Sequence, residues 1–233
     1  MSSRRSNPPS NQTAALPQGG CLSGFLIPPL AVICVGALLA FLLLGQTVSP
    51  ASTSSLEETP SLLLPTTTTL SPIFTPEVQH WGADIQRWAA AAELDPNLAA
   101  TVMQIESCGD PRARSSAGAL GLFQVMPYHF ATADDPYDPD TNALRGLDYL
   151  RRSQETAEGN PHLALAGYNG GIGMIGRSEF NWPTQTQRYA AWGSGIYADA
   201  SSGQSESLWL QEWLAASGRS LCLQAGNRLG INP

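Results

Sequence analysis

No charged residue occurs between Arg5 and Glu57, and inside that gap the run from Cys21 to Gly45 is almost wholly apolar. The part from Gly24 to Gly45 meets the ~20 residues a helix needs to cross a bilayer. Arg4 and Arg5 precede it and no basic residue follows it closely, so the positive-inside bias puts the N-terminus in the cytoplasm and the rest of the chain outside. Pro28 and Pro29 fall near the start of the span, where a missing N–H costs least. The competing reading is a cleaved signal peptide, whose apolar core usually runs only ~7–15 residues. Either way the C-terminal part is exported. The chain thus divides into a disordered cytoplasmic tail (1–20), a single-pass membrane anchor (21–45), a Ser/Thr/Pro-rich linker (46–76) and a folded domain (77–233).

Charged residues make up 13% of the chain, the net charge is −7, and every basic residue is Arg. No basic patch points to nucleic acid. His80, His129 and His162 are too dispersed for a metal cluster, and no CxxC pair occurs, so neither a metal nor another cofactor is expected. Asp134, Asp135, Asp138 and Asp140 lack the Gly and terminal Glu of a calcium loop. Cys108 and Cys222 are the only cysteines of the exported domain, which allows one intramolecular disulfide. Two buried free thiols are the alternative.

Within 77–233 the apolar residues repeat at three to four positions. Val78, Trp81, Ile85 and Trp88 mark a first helix. Asp95-Pro96, Asp138-Pro139 and Asn160-Pro161 each supply an N-cap followed by an N1 proline, and so start three more. Tyr189, Trp192 and Ile196 mark a helix after Pro183, and Leu208, Leu210, Trp213 and Leu214 a last one, with Trp209 and Trp213 as core. No alternating strand pattern is convincing, so the domain is mainly α, and at ~157 residues it can bury roughly 70% of its unfolded surface. It is expected to be a monomer.

The stretch richest in chemistry is Gln104-Ile105-Glu106-Ser107-Cys108-Gly109 and its continuation to Pro127. Glu106 ends an apolar helical run, where both desolvation and the negative end of the helix dipole favour the protonated acid. A glycosidase proton donor needs that state. Ser115, Ser116 and Gly118-Ala119 form a loop, and Gly121-Leu122-Phe123-Gln124-Val125-Met126-Pro127 an apolar segment with one amide.

Together with Gly167-Tyr168-Asn169-Gly170-Gly171 and Pro183-Thr184-Gln185-Thr186, this stretch resembles the soluble lytic transglycosylase family, lysozyme-like enzymes that cut the glycan strands of peptidoglycan. The resemblance covers roughly Trp88 to Ile196. It implies an α+β lysozyme-like fold, Glu106 as catalytic acid, and substrate contacts from Ser115, Ser116, Gln124, Met126, Tyr168, Asn169, Gln185 and Tyr189. Two positions depart from the family pattern: Gln185 stands where Glu is usual, and Cys108 where cysteine is not. Hydrolysing glycosidases normally need a second carboxylate. Asp110 and Asp95 read as turn and cap residues, so one acid would serve both steps and leave a 1,6-anhydro sugar. The distant acids Asp134 and Glu179 stay open as partners, which would make the chain a lysozyme. A catalytically weak wall-binding module is the non-enzymatic alternative.

Overall fold

The computed structural model describes residues 70–231. They lie in the second of two units of the chain, Pro60–Pro233. The expected tail, anchor and most of the linker fall outside the described residues.

The domain is built around one helix. α3 (Pro96–Glu106) starts where the Asp95 carboxylate accepts from the Asn97 N–H, with Pro96 at the first helical position. Leu98 through Ile105 are all buried, including Thr101 and Gln104. A helix buried on every side belongs at the centre of a core. α1 (Pro76–Gln79) and α2 (Gly82–Ala91) pack on it from the N-terminal side. They form two helices where the periodicity reads as one.

α4 (Pro139–Thr156) and α5 (Pro161–Gly170) begin at Asp138 and Asn160, whose side chains accept backbone N–H groups of the first turn. α6 (Thr184–Ser201) packs on both α5 and α3. α7 (Leu208–Trp213) runs through a wide π turn, Leu214–Gly218, into α8 (Arg219–Leu229). The Trp213 ring lies where a side chain on Gly218 would have to go, so glycine permits that turn to close. Among the described residues there is no strand, only the isolated antiparallel bridges Arg114–Leu120 and Leu120–Val125.

The core differs from the expected one in three places. Leu70, Ile73 and Phe74 are buried, so folded structure begins before Glu77 and takes in the end of the expected linker. Hydrogen bonds from Ser71 N to Asn97 Oδ1 and from Thr75 N to Gln104 Oε1 fasten this segment to α3. Trp213 is core, but Trp209 is 42% exposed and rests its ring on Gly195. The three-to-four-residue apolar repeat after Asp138-Pro139 takes in Leu144, yet Leu144 is 62% exposed, because α4 packs with the face that carries Ala143, Leu147 and Leu150.

Candidate active site

Glu106 is the last residue of α3. Its backbone leaves the helix abruptly: Ser107 drops out of helical geometry, and Cys108 and Gly109 both take positive φ. Ser107 fixes this exit. Its hydroxyl donates to Leu122 O (2.7 Å) and accepts from Gly109 N (3.1 Å), which ties the acid's helix to the apolar segment.

That segment is held from the other side by Asn142 of α4. Asn142 Oδ1 accepts from Phe123 N, and its Nδ2 donates to Leu120 O and Pro136 O. Gly121, at φ +74°, lies so close to the Asn142 amide that no side chain fits there. Phe123 O in turn accepts from the Tyr168 hydroxyl at 2.7 Å.

The Glu106 carboxyl is partly exposed but largely stripped of water, and desolvation pushes its pKa up to about 8. The Tyr189 hydroxyl draws it part of the way back. That hydroxyl makes no well-formed hydrogen bond, and its buried oxygen is left without a partner. The two groups are therefore near but not aligned. Burial, then the Glu106 charge, raises the pKa of both Tyr168 and Tyr189, so both phenols stay protonated.

Tyr168 also lines a cavity of about 320 Å³ whose wall includes Gln124, Met126 and Asn169, whereas Glu106 and Tyr189 lie behind that wall and not in its lining. Gln124 sits at φ +46°, its amide donating to Gly121 O. Asn169 Oδ1 accepts from Thr186 Oγ1. The other expected contacts lie apart. The Ser115 hydroxyl accepts from Ala119 N and closes the turn whose exposed tip carries Ser116. Gln185 is exposed in the first turn of α6 and does not line the cavity. Tyr128, His129 and Tyr149 do line it, and the sequence reading did not single them out as ligands. An aromatic on a half-buried surface carries no periodic signal of its own.

No other carboxylate among the described residues acts on Glu106. Asp110 is buried but faces away, accepting from Arg112 N, Gln224 Nε2 and Arg228 Nη1. Asp134 pairs with Arg145 at 2.7 Å, and Glu179 with His162 at 3.3 Å. Asp138 caps α4, and Asp140 accepts from Arg87 and Trp88, so these acids also have partners. A second depression, about 360 Å³ between α2 and α4, is rimmed by charges that pair with each other, Arg87 with Asp140 and Arg151 with Asp148. It lacks an isolated acid of the Glu106 kind.

Residues 84–190 match the model of the transglycosylase SLT domain. Over those residues the chain is similar to the SLT transglycosylase family. The SLT segment holds Glu106, Gln124, Tyr168, Asn169 and Tyr189 together, whereas α7 and α8 lie beyond it.

The chain is 38% identical over 115 residues to a transglycosylase of Enterobacteria phage PRD1, covering 47% of this chain and 40% of the phage protein. It is 28% identical over 102 residues to the soluble lytic murein transglycosylase of Escherichia coli K12, covering 39% of this chain and 16% of that protein. It thus spans less than half the length of these relatives. The solved complex of the 70-kDa soluble lytic transglycosylase with bulgecin A superposes with a TM-score of 0.45 at 21% identity, over 53% of this chain and 25% of that one.

Outside the cavity, Cys108 and Cys222 are joined in a disulfide with a Cα–Cα distance of 5.0 Å. The bond fastens α8 two residues beyond Glu106.

Proposed function

We propose that this chain is a peptidoglycan lytic transglycosylase of lysozyme-like fold that cleaves the MurNAc–GlcNAc bond. The observation that carries the reading is Glu106: one carboxyl, held protonated near neutrality by burial, close to Tyr168 of a cavity wall that carries no second acid. The glycosidic oxygen takes the Glu106 proton as its bond to C1 breaks. The resulting carboxylate then removes the proton from the same sugar's 6-hydroxyl. The O6–C1 bond forms, Glu106 is protonated again, and no water is consumed. Gln124, Met126, Tyr168, Asn169 and Tyr189 are proposed to hold the sugars, since such sites combine an apolar floor with a few placed polar groups. Ser115, Ser116 and Gln185 would make contacts only at the rim. The chemistry requires no cofactor.

The test is a digest of purified cell walls followed by mass spectrometry. Wild-type protein should clear the suspension and release anhydromuramyl fragments, each one water lighter than a hydrolysis product. Glu106→Gln should reduce the rate by at least about a hundredfold. Reducing-end products alone would make the enzyme a hydrolase, and wall binding without any release would make the domain a non-catalytic module. The run from Gly24 to Gly45 is proposed to anchor the enzyme as a monomer outside the membrane, within reach of the wall.

A further inference from the structure

The cavity floor continues past the residues named above. From Tyr168, beside Glu106, a row of rings runs through Tyr149 and His129 to Tyr128, with centroids 5.7, 4.8 and 4.5 Å apart in turn. All four line the same cavity. The inner end is fixed, because the Tyr168 hydroxyl is tied to Phe123 O. The middle is braced by the Arg152 guanidinium, which lies 5.3 Å over the Tyr149 ring. Burial, and then the charge of Arg152, lowers the pKa of His129, so its ring is neutral near pH 7.

The outer end is different. Tyr128 sits on the short 3-10 turn Pro127–His129 and is 75% exposed. A single exposed ring is ordinary, but Tyr128 is the open end of a contiguous row of four rings on one cavity wall, and contiguous apolar patches mark ligand-binding grooves.

We propose that Tyr128 and His129 form a sugar-binding subsite remote from Glu106, which grips the glycan strand away from the bond being cut. The proposal rests on the reading of the cavity as a glycan site. A pyranose presents C–H groups on its faces and hydroxyls at its edge. Neutral aromatic rings with polar rims suit both, and a charged imidazole would not. The ring steps give successive sugars successive places to rest. Binding energy gathered at Tyr128 would be spent on orienting the strand at Glu106, so long strands would be cut faster than short ones.

Calorimetric titration of the full-length Glu106→Gln protein with a peptidoglycan disaccharide and an octasaccharide tests this. Adding Tyr128→Ala should weaken octasaccharide binding about tenfold and leave disaccharide binding as it was. Tyr128→Phe should behave as the parent, and Tyr128→Leu as the alanine variant. All should melt together, since the side chain is exposed. An octasaccharide affinity unchanged within about twofold in Tyr128→Ala would overturn the subsite, as would equal losses for both sugars or a parent protein that ignores the octasaccharide. Because binding needs no turnover, the two readings can fail separately. A parent that binds as described while the wild type releases no product sinks the cleavage reading alone. A wild type that cleaves walls beside a Tyr128→Ala variant with normal affinity sinks only the subsite.

Discussion

Glu106 keeps its proton because α3 brings it to the edge of the core, where desolvation outweighs the Tyr189 hydroxyl that favours its charged form. A carboxyl whose pKa is near 4.5 in the unfolded chain and about 8 in the folded one makes the folded state bind the extra proton between those values. The native state therefore loses stability as pH rises from about 4.5 to 8, and the full cost is present above that. Glu106→Gln removes the titration and keeps the shape. It should melt above wild type at pH 8, by the equivalent of about 1–4 kcal/mol, with the difference shrinking toward zero near pH 4. Scanning calorimetry of both proteins across this range is the check. Equal melting curves at pH 8 would mean the carboxyl is not desolvated. The same titration sets the activity limb: wall clearing should decline as pH passes about 8 and the acid loses its proton.

At the scale of elements, the loop after α3 is fastened from three directions. Ser107 joins it to the apolar segment, Asn142 joins that segment to α4, and Cys108 with Asp110 joins the exit of α3 to α8. The last fastening comes from outside the SLT segment, so a helix that contributes nothing to the cavity steadies the backbone beside the acid. Cross-linking across 114 residues removes loop-closure freedom from the unfolded chain worth about 4–5 kcal/mol in chain-entropy models, and often less in practice. Cys222→Ser should therefore lower stability by about 2–5 kcal/mol in denaturant titration. Its activity should survive in part, because Gln224 and Arg228 still hold Asp110. Thiol labelling of the unfolded, unreduced domain, residues 70–233, which holds only these two cysteines, gives an independent check: two reactive thiols would rule the bond out.

On the scale of the whole molecule, residues 70–231 enclose a main apolar core with α3 at its centre and a small satellite cluster of Ala166, Trp182 and Ala190. Among the described residues no helix is long and apolar enough to cross a membrane. We propose that attachment to a bilayer comes from the run between Gly24 and Gly45. The full chain should sediment with membranes, and residues 70–233 alone should stay in the supernatant. A mature N-terminus near Ala51 or Ser52, read by sequencing the protein from cells, would replace the anchor with a cleaved signal. The soluble piece needs to begin at Leu70 rather than Glu77, since the segment between them buries Leu70, Ile73 and Phe74.

Local rules determined much of this protein. Asp95-Pro96, Asp138-Pro139 and Asn160-Pro161 start helices wherever they occur, because the cap and the fixed φ act within one turn. The raised pKa of Glu106 follows from a local anomaly too, an acid ending an apolar helix, whereas its catalytic role is what the family resemblance implies. What local rules could not decide was which polar residues meet. Ser115 and Gln185 stand at motif positions, yet one closes its own turn and the other faces solvent. Tyr128 and Tyr149 lie 21 residues apart in sequence, and only the packing of the loop after Met126 against α4 sets them on one cavity wall. Leu70 to Phe74 look like linker because a short irregular segment has no period to read, and burial against α3 is what makes them core. Propensity and capping are properties of neighbours in the chain. A cavity and an unpaired carboxyl are properties of neighbours in space, which tertiary packing alone creates.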